Sequence, residues 1–229
     1  MDRDEESIGG LANPLQPTRQ LFITSIVMDI VAIAAGIFIS PYFMAGIVLY
    51  ILASRLYSYR GTRLKRFPVA GYLTVVIFQG AVTFWLVYHG AHANQTLHVP
   101  VSGMLASSLL IGGFYPLTQI YQHDADKKDG VVTISAALGY RGTFIFTGIV
   151  YALAFMVLGY HFISSLEAKQ FLLVQICMLP VLVLFFRWAI LVWKDTRNAD
   201  FKHTMQINWV ASTCTNLAFL ILIFWRILE

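Results

Sequence analysis

The sequence has few charged residues and almost no cysteine. Lys, Arg, Asp and Glu make up 12% of its 229 residues, whereas about a quarter of an average soluble domain is charged. Its two cysteines, Cys177 and Cys214, lie inside apolar runs, where a thiol behaves as a small hydrophobic group. We therefore assign them neither a disulfide nor a metal, and the low charge indicates that lipid is the main solvent of this chain.

Long apolar runs make up most of the sequence, and 58% of the residues are hydrophobic. A bilayer core of about 30 Å requires about 20 apolar residues per helix. None of the runs alternates with a period of two, so they are typical of helices and not of barrel strands. The seven runs comprise residues 21–40, 42–57, 69–90, 100–121, 143–163, 171–193 and 205–228. They predict an all-α polytopic membrane bundle of about seven transmembrane helices, with residues 1–229 as a single domain and the second helix the shortest.

The charged residues are unevenly distributed between the two sides of this bundle. Thirteen of the 16 Lys and Arg residues lie in segments on one side, and the positive-inside rule predicts that this side is cytoplasmic, at the inner membrane in a bacterium. Nine of the 12 acidic residues lie there as well, which the rule does not require. The basic residues border apolar spans and form no separate soluble module, so we expect no nucleic-acid partner. A mixed acidic and basic face is suited to a metal ion and phosphate.

Two acidic segments lie on this side, four spans apart. If the start of the chain is helical, Asp2 and Glu6 lie on one helix face, and Gln122 and Asp126 have the same spacing after the fourth run. Mg²⁺ prefers oxygen ligands and is commonly held by one or two carboxylates together with substrate phosphates. The segments therefore predict a diphosphate site that uses Mg²⁺, although each segment alone is more typical of a solvated loop.

Together these segments resemble the UbiA superfamily of intramembrane prenyltransferases, whose nine helices carry an N-D-x-x-D-x-x-x-D loop and, four spans later, a D-x-x-x-D loop. Residues 124–133, followed by Leu138 and Gly139, look like the second loop and the L-G pair after it. Asp126 takes the place of the second aspartate and Gln122 that of the first. The amide is a weaker Mg²⁺ ligand than a carboxylate, so Asp124 is the alternative ligand.

The basic segment between the acidic loops resembles the family's Y-S…R-L-K loop, which helps to bind diphosphate. The resemblance implies three sets of site residues, of which the catalytic and metal-binding sets overlap. The catalytic residues are Asp2, Glu6 and Asp126, the metal ligands Asp2, Glu6, Gln122, Asp124 and Asp126, and the diphosphate-binding residues Tyr57, Arg63, Lys65 and Lys127. Guanidinium and ammonium groups suit this last role because they neutralise a departing diphosphate.

The first family loop fits only if the chain begins partway through it, with Asp2 at its third acidic or amide position and Glu6 at its last. The leading N-D pair is missing. The seven apolar runs then correspond to helices three to nine of the family fold. We therefore expect the chain to lack two N-terminal helices and to have an incomplete catalytic chamber.

The resemblance implies Mg²⁺-dependent transfer of a prenyl group from an isoprenyl diphosphate to an aromatic, quinone-precursor or other lipid acceptor. Two alternatives remain open at this point. One is a transporter, for which Asp29 and Arg187, both inside apolar runs, would be the transport residues. Arg187 either pairs with Asp29 or extends its guanidinium to the membrane surface. The other is a catalytically degenerate, lipid-binding relative, suggested by Gln122 and the incomplete first loop.

Further polar residues within the bundle are consistent with two roles, one in binding and one in helix packing. Gln79, Tyr115 and Gln119 are candidates to line an acceptor pocket, although polar side chains more often join adjacent membrane helices. A cluster of histidines on the opposite side has no fourth ligand and no spacing typical of zinc, so we expect no zinc there. This cluster comprises His89, His92 and His98.

Overall fold

The structure is a computed structural model that describes residue 12, residues 18–59 and residues 61–228. Within this part of the chain all regular elements are helical, as predicted. The α-helices are α1 (Arg19–Ile39), α2 (Pro41–Ser58), α3 (Pro68–Val75), α4 (Thr83–Ala91), α5 (Val101–Gln119), α6 (His123–Lys128), α7 (Ile134–Ser164), α8 (Ala168–Lys194) and α9 (Phe201–Leu228). A π-helical segment, Val76–Val82, joins α3 and α4 into one continuous helix.

Each of the seven predicted runs coincides with a long helical segment. Among the described residues, six of these segments are long and apolar enough to cross a membrane, and the exception is α2, which contains the shortest predicted run. The largest difference in bounds is at α7, which begins at Ile134, nine residues before the predicted run. Its first turns are too polar to be recognised as a span, but the Thr133 hydroxyl caps them by accepting a hydrogen bond from the Ala136 amide at 3.2 Å.

Helices α1 and α2 are joined by a single residue, Ser40. Its backbone N–H donates to the Gly36 carbonyl at 3.2 Å and so ends α1. Its hydroxyl accepts from the Phe43 amide at 3.0 Å and so begins α2, with Pro41 at the first helical position, where the missing N–H costs nothing. The two helices therefore form a tight antiparallel hairpin.

A hydrophobic core ties the later helices together near one end of the bundle. Leu117 and Ile120 pack there against Phe144 of α7 and Trp188 of α8, and all four are at most 3% exposed. The Trp188 indole N–H donates to the Asn198 carbonyl at 2.7 Å, so this buried polar group is satisfied. The core adjoins the loops at this end, which we call the polar end and define as residues 59, 61–67, 120–133 and 195–200.

Two helices approach each other closely at Gly80, in the π-helical segment. A Cβ atom added there would lie 2.5 Å from the Ser108 Cα atom and 2.8 Å from its backbone nitrogen on α5. Both atoms belong to the backbone, so no side chain can rotate away to make room. Small residues permit such backbone contact between membrane helices.

We expect Gly80→Ala to destabilise the fold by about 1–3 kcal/mol, because the added methyl group forces the two helices apart. The measurement is the thermal unfolding midpoint of the purified protein in detergent. The matched control is Gly148→Ala in α7, where an added Cβ would meet no atom within 4 Å. Equal midpoints for the two variants would show that the close approach does not restrain the fold.

Candidate functional site

Two loops meet at the polar end through an ion pair between Arg63 and Asp129. The Arg63 guanidinium also donates through Nη1 to the Asp129 carbonyl at 3.3 Å. The Arg63 side chain is only 11% exposed, whereas that of Asp129 is 41% exposed. The pair therefore fastens the loop after α2 to the loop after α6, with the cation held inside and the carboxylate nearer to solvent.

The backbone around Arg63 is unusual for a residue with a side chain. Arg63 has a φ of 40°, in the left-handed region that is uncommon outside glycine. A 3₁₀ turn, Leu64–Arg66, follows and carries Lys65. This turn packs tightly on α3, since a Cβ atom at Gly71 would lie 3.1 Å from the Lys65 Cα atom. Strained conformations of this kind persist only where their surroundings hold them, and they cluster at functional sites.

Two tyrosines and an aspartate lie beside this pair of loops. The Tyr57 hydroxyl at the end of α2 is hydrogen-bonded to the Tyr115 hydroxyl of α5. The Asp126 carboxylate interacts electrostatically with Tyr115, and its Oδ2 atom is buried. The Asp126 carbonyl accepts from the Val131 amide at 2.8 Å, which fixes the turn after α6. Three sequence-predicted site residues therefore lie close together here: Tyr57 at the end of α2, and Arg63 and Asp126 in the polar end.

The remaining predicted residues of the second loop point away from Asp126 or lie at the surface. Residues two apart on an α-helix are separated by about 200°, so Asp124 and Asp126 do not lie on one face of α6. Asp124 is exposed and interacts electrostatically with Tyr140. The Gln122 amide donates to the Tyr121 hydroxyl at 2.8 Å, and Lys127 is exposed.

A hydrogen-bond chain that the sequence did not suggest anchors α6 to α7. The His123 Nε2 atom lies 2.8 Å from the Ser135 hydroxyl, which lies 3.0 Å from the Thr143 hydroxyl. The His123 ring also stacks on Tyr140, with 4.6 Å between ring centroids. The hydrogen bond between Ser135 and Thr143 spans the bend at Gly139, whose φ of 69° favours glycine. The only sequence signal for this anchor is a histidine beside the acidic residues, followed by an L-G pair.

The carboxylates of the polar end could hold a magnesium ion only together with other oxygen ligands. Among the described residues no group of three or more His, Cys, Asp and Glu side chains could hold a metal by itself. Mg²⁺ does not need such a group when substrate phosphates supply the other oxygens. The Asp126 carboxylate fits that mode of binding, whereas the predicted ligands Asp2 and Glu6 lie outside the described residues.

The structure corrects the predicted pairing of Asp29 with Arg187. Asp29 of α1 forms its ion pair with Arg55 of α2, and Arg55 also donates to the Ser25 hydroxyl at 3.2 Å. The reason is topological, because α1 and α2 form a hairpin. Arg187 lies on α8 and lines a cavity between α8 and α9.

The other polar residues of the bundle differ in burial. Gln79 is exposed in the π-helical segment, and Tyr115 is half-buried. Gln119 is 7% exposed, and its Oε1 atom is buried without a hydrogen bond from the residues that the structure describes. On the opposite side of the bundle, His89 uses both ring nitrogens, with Ser40 Oγ at 2.7 Å and the Thr96 carbonyl at 2.9 Å. His89 therefore belongs to a buried structural network.

Six helices of the described residues are long and apolar enough to cross a membrane, and charged loops lie at their ends. This arrangement is that of an integral multi-pass membrane protein. The sequence profile of the UbiA prenyltransferase family matches residues 10–225, so the chain belongs to this family. The match confirms the resemblance seen in the loops and supports a prenyltransferase-type function. No significant match was found among curated proteins or among solved structures.

We expect Arg63 and Asp129 to be coupled by about 1–2 kcal/mol in a double-mutant cycle of Arg63→Gln and Asp129→Asn, because the guanidinium is largely shielded from water. The measurement is the unfolding midpoint of the two single variants and the double variant. The matched control is the cycle of Arg197→Gln and Asp195→Asn at the same end. The Arg197 guanidinium lowers the pKa of the Asp195 carboxyl through hydrogen bonds, but Arg197 is 90% exposed. Equal coupling in the two cycles would contradict a special role for Arg63.

Proposed function

We propose that this protein transfers a prenyl group from an isoprenyl diphosphate to a hydrophobic acceptor, such as an aromatic or quinone precursor, at its polar end. The observation that carries the proposal is the convergence of two segments far apart in the sequence. Tyr57 and Arg63 come from the end of α2 and the loop after it, and Asp126 comes from α6. Membership of the prenyltransferase family supports prenyl transfer as the reaction at these residues. The excess of basic residues at the polar end supports a cytoplasmic position for it.

The cationic side chains of the polar end would bind the diphosphate. Arg63 presents several N–H donors, and its contact with Asp129 orients the guanidinium before substrate arrives. A donor that is already oriented stabilises developing charge without reorganisation. Lys65, on the adjoining 3₁₀ turn, and the exposed Lys127 add positive charge at the same end.

Asp126 would be the principal described ligand of a magnesium ion, together with substrate phosphate oxygens. Gln122 and Asp124 are further candidates on the same segment, and Asp2 and Glu6 remain predicted ligands. When bound, Mg²⁺ neutralises negative charge on the diphosphate oxygens. The buried Oδ2 atom places part of the Asp126 carboxylate away from bulk water, where electrostatic interactions are stronger.

In the proposed reaction the allylic C–O bond breaks and its electron pair leaves with the diphosphate. The allylic carbon then bonds to the acceptor, which loses a proton. The apolar helices would exclude water from the cation, and the lipid would admit the prenyl chain from the side. Tyr115 and Gln119 are four residues apart on one face of α5. The Gln119 Oε1 atom there is suited to accept a hydrogen bond from a hydroxyl group of the acceptor.

The proposal is tested by titrating the purified full chain with farnesyl diphosphate, with and without Mg²⁺. We expect Mg²⁺-dependent binding that weakens at least about tenfold in Asp126→Asn, since this isosteric change removes a charged ligand. The matched control, Asp195→Asn, has the same charge change at the same end and should bind as the native chain does.

Product formation is measured in the same preparation with aromatic acceptors. Mg²⁺-dependent binding together with product supports the proposal. Binding without product from any acceptor would favour a degenerate, lipid-binding relative. An affinity for farnesyl diphosphate that changes neither with Mg²⁺ nor in Asp126→Asn would overturn the assigned site.

A further inference from the structure

A second polar cavity lies between α8 and α9, outside the loops of the candidate site. Its volume is about 130 Å³, and its polar lining residues are Arg187, His203 and Gln206. The remaining lining is Trp188 together with leucine and isoleucine side chains. A membrane protein rarely places three polar side chains on adjoining helices among apolar residues without a use for them.

Arg187 lies deeper in the bundle than the other basic residues near this end. It precedes Lys194, the last residue of α8, by seven positions, which corresponds to about 10 Å along the helix axis. Its side chain is exposed, and no acidic residue in the described part of the chain forms an ion pair with it. A guanidinium at this depth has a strong preference for an anion.

The nearby carboxylate is already engaged. Asp200 Oδ1 accepts from the His203 backbone N–H at 2.8 Å and lies 2.8 Å from the ring Nδ1 atom. The His203 ring also stacks nearly parallel to Trp188, with 6.3 Å between ring centroids. These contacts fix the imidazole and commit its Nδ1 atom, so Nε2 is the ring nitrogen that remains for a ligand. Gln206, three residues further along α9, adds an exposed amide on the same face.

We propose that this cavity binds a phosphate group, supplied by the headgroup of an anionic phospholipid. Arg187 would provide the charge, and His203 and Gln206 would provide directional hydrogen bonds. Basic pockets between membrane helices are known to bind lipid headgroups. The cavity is smaller than the roughly 300–1,000 Å³ of a typical ligand pocket, so it suits a phosphate whose glycerol and acyl chains remain outside, against the apolar surfaces of α8 and α9.

The cavity shares no residue with the proposed diphosphate site, so the inference does not depend on the proposed reaction. The two regions adjoin through Phe201, the first residue of α9, whose ring packs edge-on against Tyr121 at 5.2 Å between centroids. Tyr121 in turn accepts the hydrogen bond from Gln122. A lipid held between α8 and α9 would therefore lie beside the second acidic loop without entering it.

The test is the affinity of the purified full chain for phosphatidylglycerol, compared with zwitterionic phosphatidylcholine, measured by native mass spectrometry in detergent. We expect a preference for phosphatidylglycerol that falls about tenfold in Arg187→Gln and about threefold in Gln206→Leu, as expected for one charged and one neutral hydrogen bond. The matched control is Lys202→Gln. This residue is exposed, has the same charge and does not line the cavity, so its affinity should change less than twofold.

Two results would overturn the proposal. Equal losses in Arg187→Gln and Lys202→Gln would show that only diffuse positive charge attracts the lipid. Full retention of affinity in both Arg187→Lys and Gln206→Leu would show that the arginine only extends to the bulk headgroup layer. Competition by millimolar inorganic phosphate, in the native chain but not in Arg187→Gln, would support the phosphate site and assign it to free phosphate.

Discussion

The structure depends on one constraint, which is that peptide groups inside hydrocarbon must be hydrogen-bonded within the protein. Helices satisfy it, so nearly all the described chain is helical and the irregular backbone is confined to the ends of the bundle. Residues that require irregular backbone, such as Arg63 with its left-handed conformation, can therefore lie only there. The cost of placing charge in hydrocarbon likewise concentrates the charged side chains at the ends of the helices, so irregular backbone and charge occur together at the polar end.

Most of the fold could be predicted from the sequence, because transmembrane helices are encoded by the local distribution of apolar residues. The polar beginning of α7 was missed for the same reason, since its start is set by the Thr133 cap and the bend at Gly139 and not by apolarity. The resemblance to the family directed attention to Tyr57, Arg63 and Asp126, whose roles in a site stay predictions. Their grouping followed from counting crossings, which places distant loops at one end of the bundle.

Individual side-chain partners could not be predicted. The pairing of Arg63 with Asp129 depends on how the short helix α6 turns into α7, and no local pattern encodes that angle. The pairing of Asp29 with Arg55 depends on which faces of α1 and α2 pack together in the hairpin, and the one-residue gap between the two predicted runs does not specify those faces. The π-helical segment also could not be predicted from the sequence, because its seven residues are as apolar as their surroundings. Such segments often mark functional positions, and this one presents Gln79 and the close approach of Gly80 to α5.

The one-residue connection at Ser40 has a consequence for how the protein reaches its place in the bilayer. With only Ser40 between them, α1 and α2 are expected to enter the bilayer together as one helical hairpin. Asp29 and Arg55 face each other within that hairpin, so their opposite charges cancel before either meets hydrocarbon alone, where an isolated charge is costly. The hairpin thus contains its own counter-ion, and this pair does not require a partner from the helices that follow it.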